Sequence, residues 1–93
     1  MQISSSSFKE LKSLKELELG HNQLKKITKG LFLNLGALER LILYANNFQV
    51  LEAGDFKGLT NMTTLFLHSN HLRIIHPGVF KDTPHLRKLY VLK

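Results

Sequence analysis

Cysteine is absent from this 93-residue chain. That removes disulfides and thiolate metal sites, and leaves no direct clue to a redox compartment. Long apolar runs are absent too: none approaches the ~20 residues of a membrane-spanning helix, and Met1-Gln2-Ile3-Ser4 shows no charged start before an apolar core. The expectation is a soluble chain with no membrane insertion in this segment. Catalytic wording is missing as well. There is no Gly-x-Ser-x-Gly elbow, phosphate loop or convergent acidic pair, and the serines gather at 4–7, 13 and 69. Neither an enzyme nor a cofactor is expected. Acidic residues are few, 7 against 13 Lys and Arg, for a formal charge of +6.

What is present is a period. Leu14-Lys-Glu-Leu-Glu-Leu recurs as Leu38-Glu-Arg-Leu-Ile-Leu, Met62-Thr-Thr-Leu-Phe-Leu and Leu86-Arg-Lys-Leu-Tyr-Val, each 24 residues after the last. Phe8, Phe32, Phe56 and Phe80 keep the same step, as do Asn22, Asn46 and Asn70, and Gly30, Gly54 and Gly78. A fixed period of this length signals a solenoid, in which each repeat buries its apolar face against its neighbours. The chain divides into a partial coil at 1–13, repeats at 14–37, 38–61 and 62–85, and a partial repeat at 86–93, all one structural unit.

Within a repeat, Leu41 and Leu43 alternate with Arg40, Ile42 and Tyr44, the period of a short half-buried strand. Asn46 then recurs at one phase of an apolar pattern, where a buried turn leaves backbone groups to satisfy, so Asn22, Asn46 and Asn70 are read as a structural ladder. Phe48 and Leu51 turn inward, Gly54 marks a bend, and the three-residue spacing of Phe56 and Leu59 suits a helical or 3₁₀ turn. Strands on one side pack at ~4.8 Å and helical turns need more room, so the stack curves with its strands on the concave side.

The pattern Leu-x-x-Leu-x-Leu-x-x-Asn-x-Leu-x-x-Leu, with Phe five residues on and Leu three later, resembles the leucine-rich repeat. Its length and phenylalanine are similar to the "typical" extracellular class, which includes Toll-like receptors, Slit-type proteins, small matrix proteoglycans and variable lymphocyte receptors. Pro77-Gly78-Val79-Phe80 and Gly58-Leu59-Thr60-Asn61 are close to common wording there. The resemblance implies an α/β repeat solenoid with about four parallel strands on the concave face and loops or 3₁₀ and helical turns on the convex face. It also implies an extracellular or cell-surface setting, in an immune or adhesion receptor or a matrix protein. Two departures stand out. Thr83 replaces Leu11, Leu35 and Leu59 in phase, and the family's cysteine-bearing caps are missing, which reads as a segment of a longer array or an uncapped one.

A binding solenoid uses its outward strand positions. Here these fall in the rows Glu16, Arg40, Thr64, Lys88; then Glu18, Ile42, Phe66, Tyr90; then Gly20, Tyr44, His68, Leu92. The candidate surface is an aromatic patch of Ile42, Tyr44, Phe66 and Tyr90 rimmed by Glu18, Arg40, His68 and Lys88, binding a protein. The bland account is that strands favour aromatic and branched residues anyway. The alternative function is a structural unit that self-assembles through open solenoid ends, a homo-oligomer. Lys25, Lys26 and Lys29 form a basic cluster that is either a solvated surface or a weak sulfated-glycan site. Nucleic acid is not expected, because these lysines are not interleaved with stacking rings. His68 and His71 diverge by phase and lack a third ligand, so no metal is expected. Asn61-Met62-Thr63 is a glycosylation sequon at Asn61.

Overall fold

The computed structural model describes residues 3–4 and 6–91. The strands are β1 (Glu16–Glu18), β2 (Arg40–Ile42), β3 (Val50–Leu51), β4 (Thr64–Phe66), β5 (Ile74–Ile75) and β6 (Lys88–Tyr90). Four of them form a parallel sheet in the order β1-β2-β4-β6. Its register pairs Leu17 with Leu41, Leu41 with Leu65 and Leu65 with Leu89. The sequence period is thus the register itself, and equivalent residues of successive coils stand side by side. A second, two-stranded parallel sheet joins β3 to β5. No helix among the described residues is long and apolar enough to cross a membrane.

Each strand of the main sheet is three residues long because a turn follows at once. His21, Ala45 and Ser69 hold one phase of that turn with φ of 59°, 56° and 60°, the left-handed conformation that reverses the chain. The asparagine behind it meets the backbone groups this reversal strands. Asn46 Oδ1 accepts from Asn22 N at 2.9 Å and Leu24 N at 3.0 Å. Its Nδ2 donates to Leu19 O and Leu43 O, each at 3.0 Å. Asn70 repeats the device one coil on, accepting from Phe48 N at 3.1 Å and donating to Leu43 O at 3.1 Å and Leu67 O at 2.9 Å. Each amide therefore ties its own coil to the preceding one, and both are buried.

The return arm is a run of tandem turns rather than a helix. Leu31 N, Leu33 N, Leu35 N and Leu38 N donate to carbonyls three residues back at 3.0 to 3.2 Å, and the 52–62 segment repeats the pattern. These are 3₁₀-type bonds that never run on into a continuous element. Inside this arm the phenylalanines stack: Phe8 on Phe32 at 6.5 Å, Phe32 on Phe56 at 6.4 Å and Phe56 on Phe80 at 6.1 Å between ring centres. Rings on the strand side stand 4.8 Å apart. The wider spacing opposite the sheet bends the solenoid with its strands inside.

Between sheet and arm lies the core. Leu35, Leu38, Leu41, Phe48, Leu51, Phe56, Leu59, Met62, Leu65 and Leu67 are fully buried. Thr83, the departure from leucine, is buried too, and its hydroxyl donates to Phe80 O at 3.1 Å, so the exchange leaves no unpaired donor. Asp55 takes the phase of Leu31 and Val79. Its Oδ2 accepts from Glu52 N at 2.8 Å, and burial raises its carboxyl above the usual range against that bond. Gly58 lies against the neighbouring coil with φ of +102°, where a Cβ would stand 2.5 Å from Phe32 O and 2.6 Å from Leu33 Cα.

Candidate ligand-binding surface

Strand parity places three rows of side chains on the concave face, and a fourth runs along its rim just before the strands. Along the rim, Lys15 is followed by Glu39, Thr63 and Arg87, each donating its backbone N–H to the coil before. Next comes Glu16, Arg40, Thr64 and Lys88, then Glu18, Ile42, Phe66 and Tyr90. Gly20, Tyr44 and His68 form the last row, and Leu92, its fourth expected member, lies outside the described residues.

Two π stacks run across the strands. Phe66 and Tyr90 lie 4.8 Å apart with planes 6° from parallel, and the Arg40 guanidinium covers Phe66 from the other side at 5.2 Å. Arg40 is itself held by Glu16 at 3.1 Å. In the adjacent row Tyr44 and His68 stack at 4.8 Å, and His21 meets Tyr44 edge-on at 5.3 Å. Gly20 makes room for this: a Cβ there would stand 2.9 Å from Glu18 Oε1 and 3.2 Å from the Tyr44 ring. The Glu18 carboxylate also accepts the Gly20 N–H. His68 Nδ1 is buried without a partner.

The sequence model of one family, described as leucine rich repeat, matches residues 2–48 and 37–91. The chain belongs to the leucine-rich repeat family. No curated protein sequence matches it. Solved structures do. The chain is similar to Toll in the Toll–Spatzle complex, described as a molecular hub in Drosophila development and innate immunity, at 28% identity and TM-score 0.90 over 95% of its length. It is similar to TLR13 in a complex with ssRNA13 at 32% identity and TM-score 0.93 over 98%. Human 5T4 (Wnt-activated inhibitory factor 1, trophoblast glycoprotein) is similar at 27% and 0.74 over 92%. The chain spans 12%, 13% and 33% of those three chains.

In this leucine-rich repeat chain the expected surface residues do not all behave alike. Glu18, Arg40, Lys88 and Tyr90 are exposed, and Tyr44, Phe66 and His68 are half-buried. Ile42 is a correction. It was expected to contact ligand, yet only 6% of it is exposed. It sits on an inner strand between Glu18 and Phe66 in register, flanked on both sides within its row. His21 is not anticipated by the sequence, and Glu16 belongs to an outward row but not to the expected patch. His21 enters because its left-handed turn folds its ring back onto Tyr44, and Glu16 because it anchors Arg40. His71 is exposed beyond the Asn70 turn, and among the described residues no group of His, Cys, Asp or Glu could hold a metal ion. Lys26 and Lys29 border a recess of about 620 Å³ shared with Glu52, Asp55 and Lys57, on the outer arm and away from the rings. Asn61 is exposed in the turn before β4, with Nδ2 donating to Gly36 O at 2.8 Å.

Proposed function

We propose that this chain is a non-enzymatic protein-recognition module whose ligand seats on the concave sheet, within an extracellular or cell-surface receptor or matrix protein of immune or adhesion type. The observation that carries this reading is the pair of π stacks. Nothing in the solenoid framework requires Tyr44, Phe66 or Tyr90 to be aromatic. They nonetheless gather on one face, with Tyr90 45% exposed and charged residues around it, the composition of an interface hot spot. The similarity to Toll, seen with its protein partner Spatzle, supports a protein ligand. The expectation that nucleic acid plays no part loses its support, because TLR13 is seen with ssRNA.

The test uses a peptide selected from a displayed library against the chain. Tyr90→Ala and Phe66→Ala are expected to weaken its binding by about 1–3 kcal/mol each, with Tyr90→Ala leaving the melting temperature almost unmoved. Unchanged affinity in both variants would remove the concave face from the reading. In the same setting Asn61 is the acceptor of an N-linked glycan, since it is exposed and followed by Thr63. Chain secreted from eukaryotic cells is expected to lose mass on enzymatic deglycosylation, and Asn61→Gln to start at the lower mass. Identical masses throughout would show the sequon unused.

A further inference from the structure

The geometry points to an acidic peptide segment as the ligand of the concave face, seated over β4 and β6 with its carboxylates on Arg87, Lys88 and the outward edges of Phe66 and Tyr90. This inference rests on the concave-face reading and adds the chemistry of the partner.

It begins with which charges are already cancelled. In the first two coils the rows pair internally, Lys15 with Glu39 at 3.6 Å and Glu16 with Arg40 at 3.1 Å. In the last coil the same two rows continue as Arg87 and Lys88, but their neighbours one coil back are Thr63 and Thr64. Among the described residues neither cation has an ion-pair partner. Among the described residues, positive charge is therefore left unpaired beside the Phe66–Tyr90 stack.

Ring orientation points the same way. Nearly parallel rings with centres 4.8 Å apart lie face to face, because side-by-side rings cannot approach so closely. Phe66 has both faces occupied, by Tyr90 and by Arg40. What turns outward is the ring edge, the positive part of the aromatic quadrupole, which favours oxygen acceptors. Nucleic-acid bases are gripped by stacking on open ring faces; both faces of Phe66 are taken, which among the described residues leaves only the far face of Tyr90 in this stack. Carboxylates on a flexible peptide match both the free cations and the ring edges.

The isotope-labelled chain is titrated with poly-L-glutamate in about 0.1 M salt, where screening confines each charge to about 10 Å. Poly-L-lysine and an oligouridylate serve as counter-probes. Backbone signals of β4 and β6 are expected to shift with poly-L-glutamate. The Arg87→Ala/Lys88→Ala double variant is expected to weaken its binding roughly fivefold or more, and Lys25→Ala/Lys26→Ala to leave it unchanged. Circular dichroism confirms that both variants fold, all four residues being exposed. Equal weakening in the two variants overturns the proposal, since attraction would then be diffuse. So does failure of poly-L-glutamate to bind, or preference for poly-L-lysine. Stronger binding of oligouridylate to β4 and β6 overturns the acidic peptide and leaves the concave face standing as a nucleic-acid surface. A footprint confined to Lys25, Lys26 and Lys29 overturns both readings.

Discussion

Gly58→Ala is expected to destabilise the chain by roughly 2–5 kcal/mol, whereas Gly54→Ala costs only about 1–2 kcal/mol. Both glycines have positive φ, +102° and +89°, a conformation that charges a side chain about 1–2 kcal/mol. They differ in what surrounds them. A Cβ on Gly54 meets nothing within 4 Å, but on Gly58 it meets Phe32 O at 2.5 Å, Leu33 Cα at 2.6 Å and Leu33 O at 2.8 Å. Those are backbone atoms of the coil before, so no rotamer change relieves them and two coils must part. Such overpacking adds about 1–3 kcal/mol. Against the ~5–15 kcal/mol of a small domain, Gly58→Ala removes a large share of the stability. Chemical denaturation of the two variants side by side checks this, and equal midpoints would show that the close approach is relieved without strain.

Asn46→Ala is expected to cost about 3 kcal/mol or more, and Asn22→Ala about 1 kcal/mol. The difference is in the bond count. Among the described residues Asn22 contributes one side-chain bond, Nδ2 to Gly20 O at 3.1 Å. Asn46 accepts from two backbone donors and gives its amide hydrogens to carbonyls of both coils. Alanine there strands Asn22 N and Leu24 N in a buried turn, each unmet group costing about 1–3 kcal/mol. Because the amide serves the coil before its own, the damage is displaced along the chain. Hydrogen exchange should quicken first at residues 19–24 and later at 43–48. Exchange that quickens around the substituted residue alone would contradict that direction of support.

The solenoid was legible because its causes are periodic. Leu41 buries for the same reason as Leu65, and Phe56 stacks because Phe32 and Phe80 occupy its phase. What the period left hidden depends on neighbours in another coil. Parity alone turns Ile42 outward, but it is buried, with Glu18 and Phe66 flanking it within its row. Gly58 shares its phase with Asn34 and Asp82, so nothing local marks it. Its need comes from the backbone at Phe32 and Leu33. β3 and β5 are two residues each, too short for an alternation to show, and they pair because Val50 and Ile74 fall in register. His21 was invisible for another reason: the left-handed turn that aims it at Tyr44 is normally written with glycine or asparagine.

The 4.8 Å step of the concave rings makes that face a ruler. An extended peptide shows same-side residues about every 6.7 Å, and the two scales do not coincide over four strands. A strand-like ligand crossing the face therefore meets it in phase at one or two points, never as a repeating match. Slipping such a ligand by one coil restores the same spacing, so the side chain standing on each rung, rather than the period, selects the docking position.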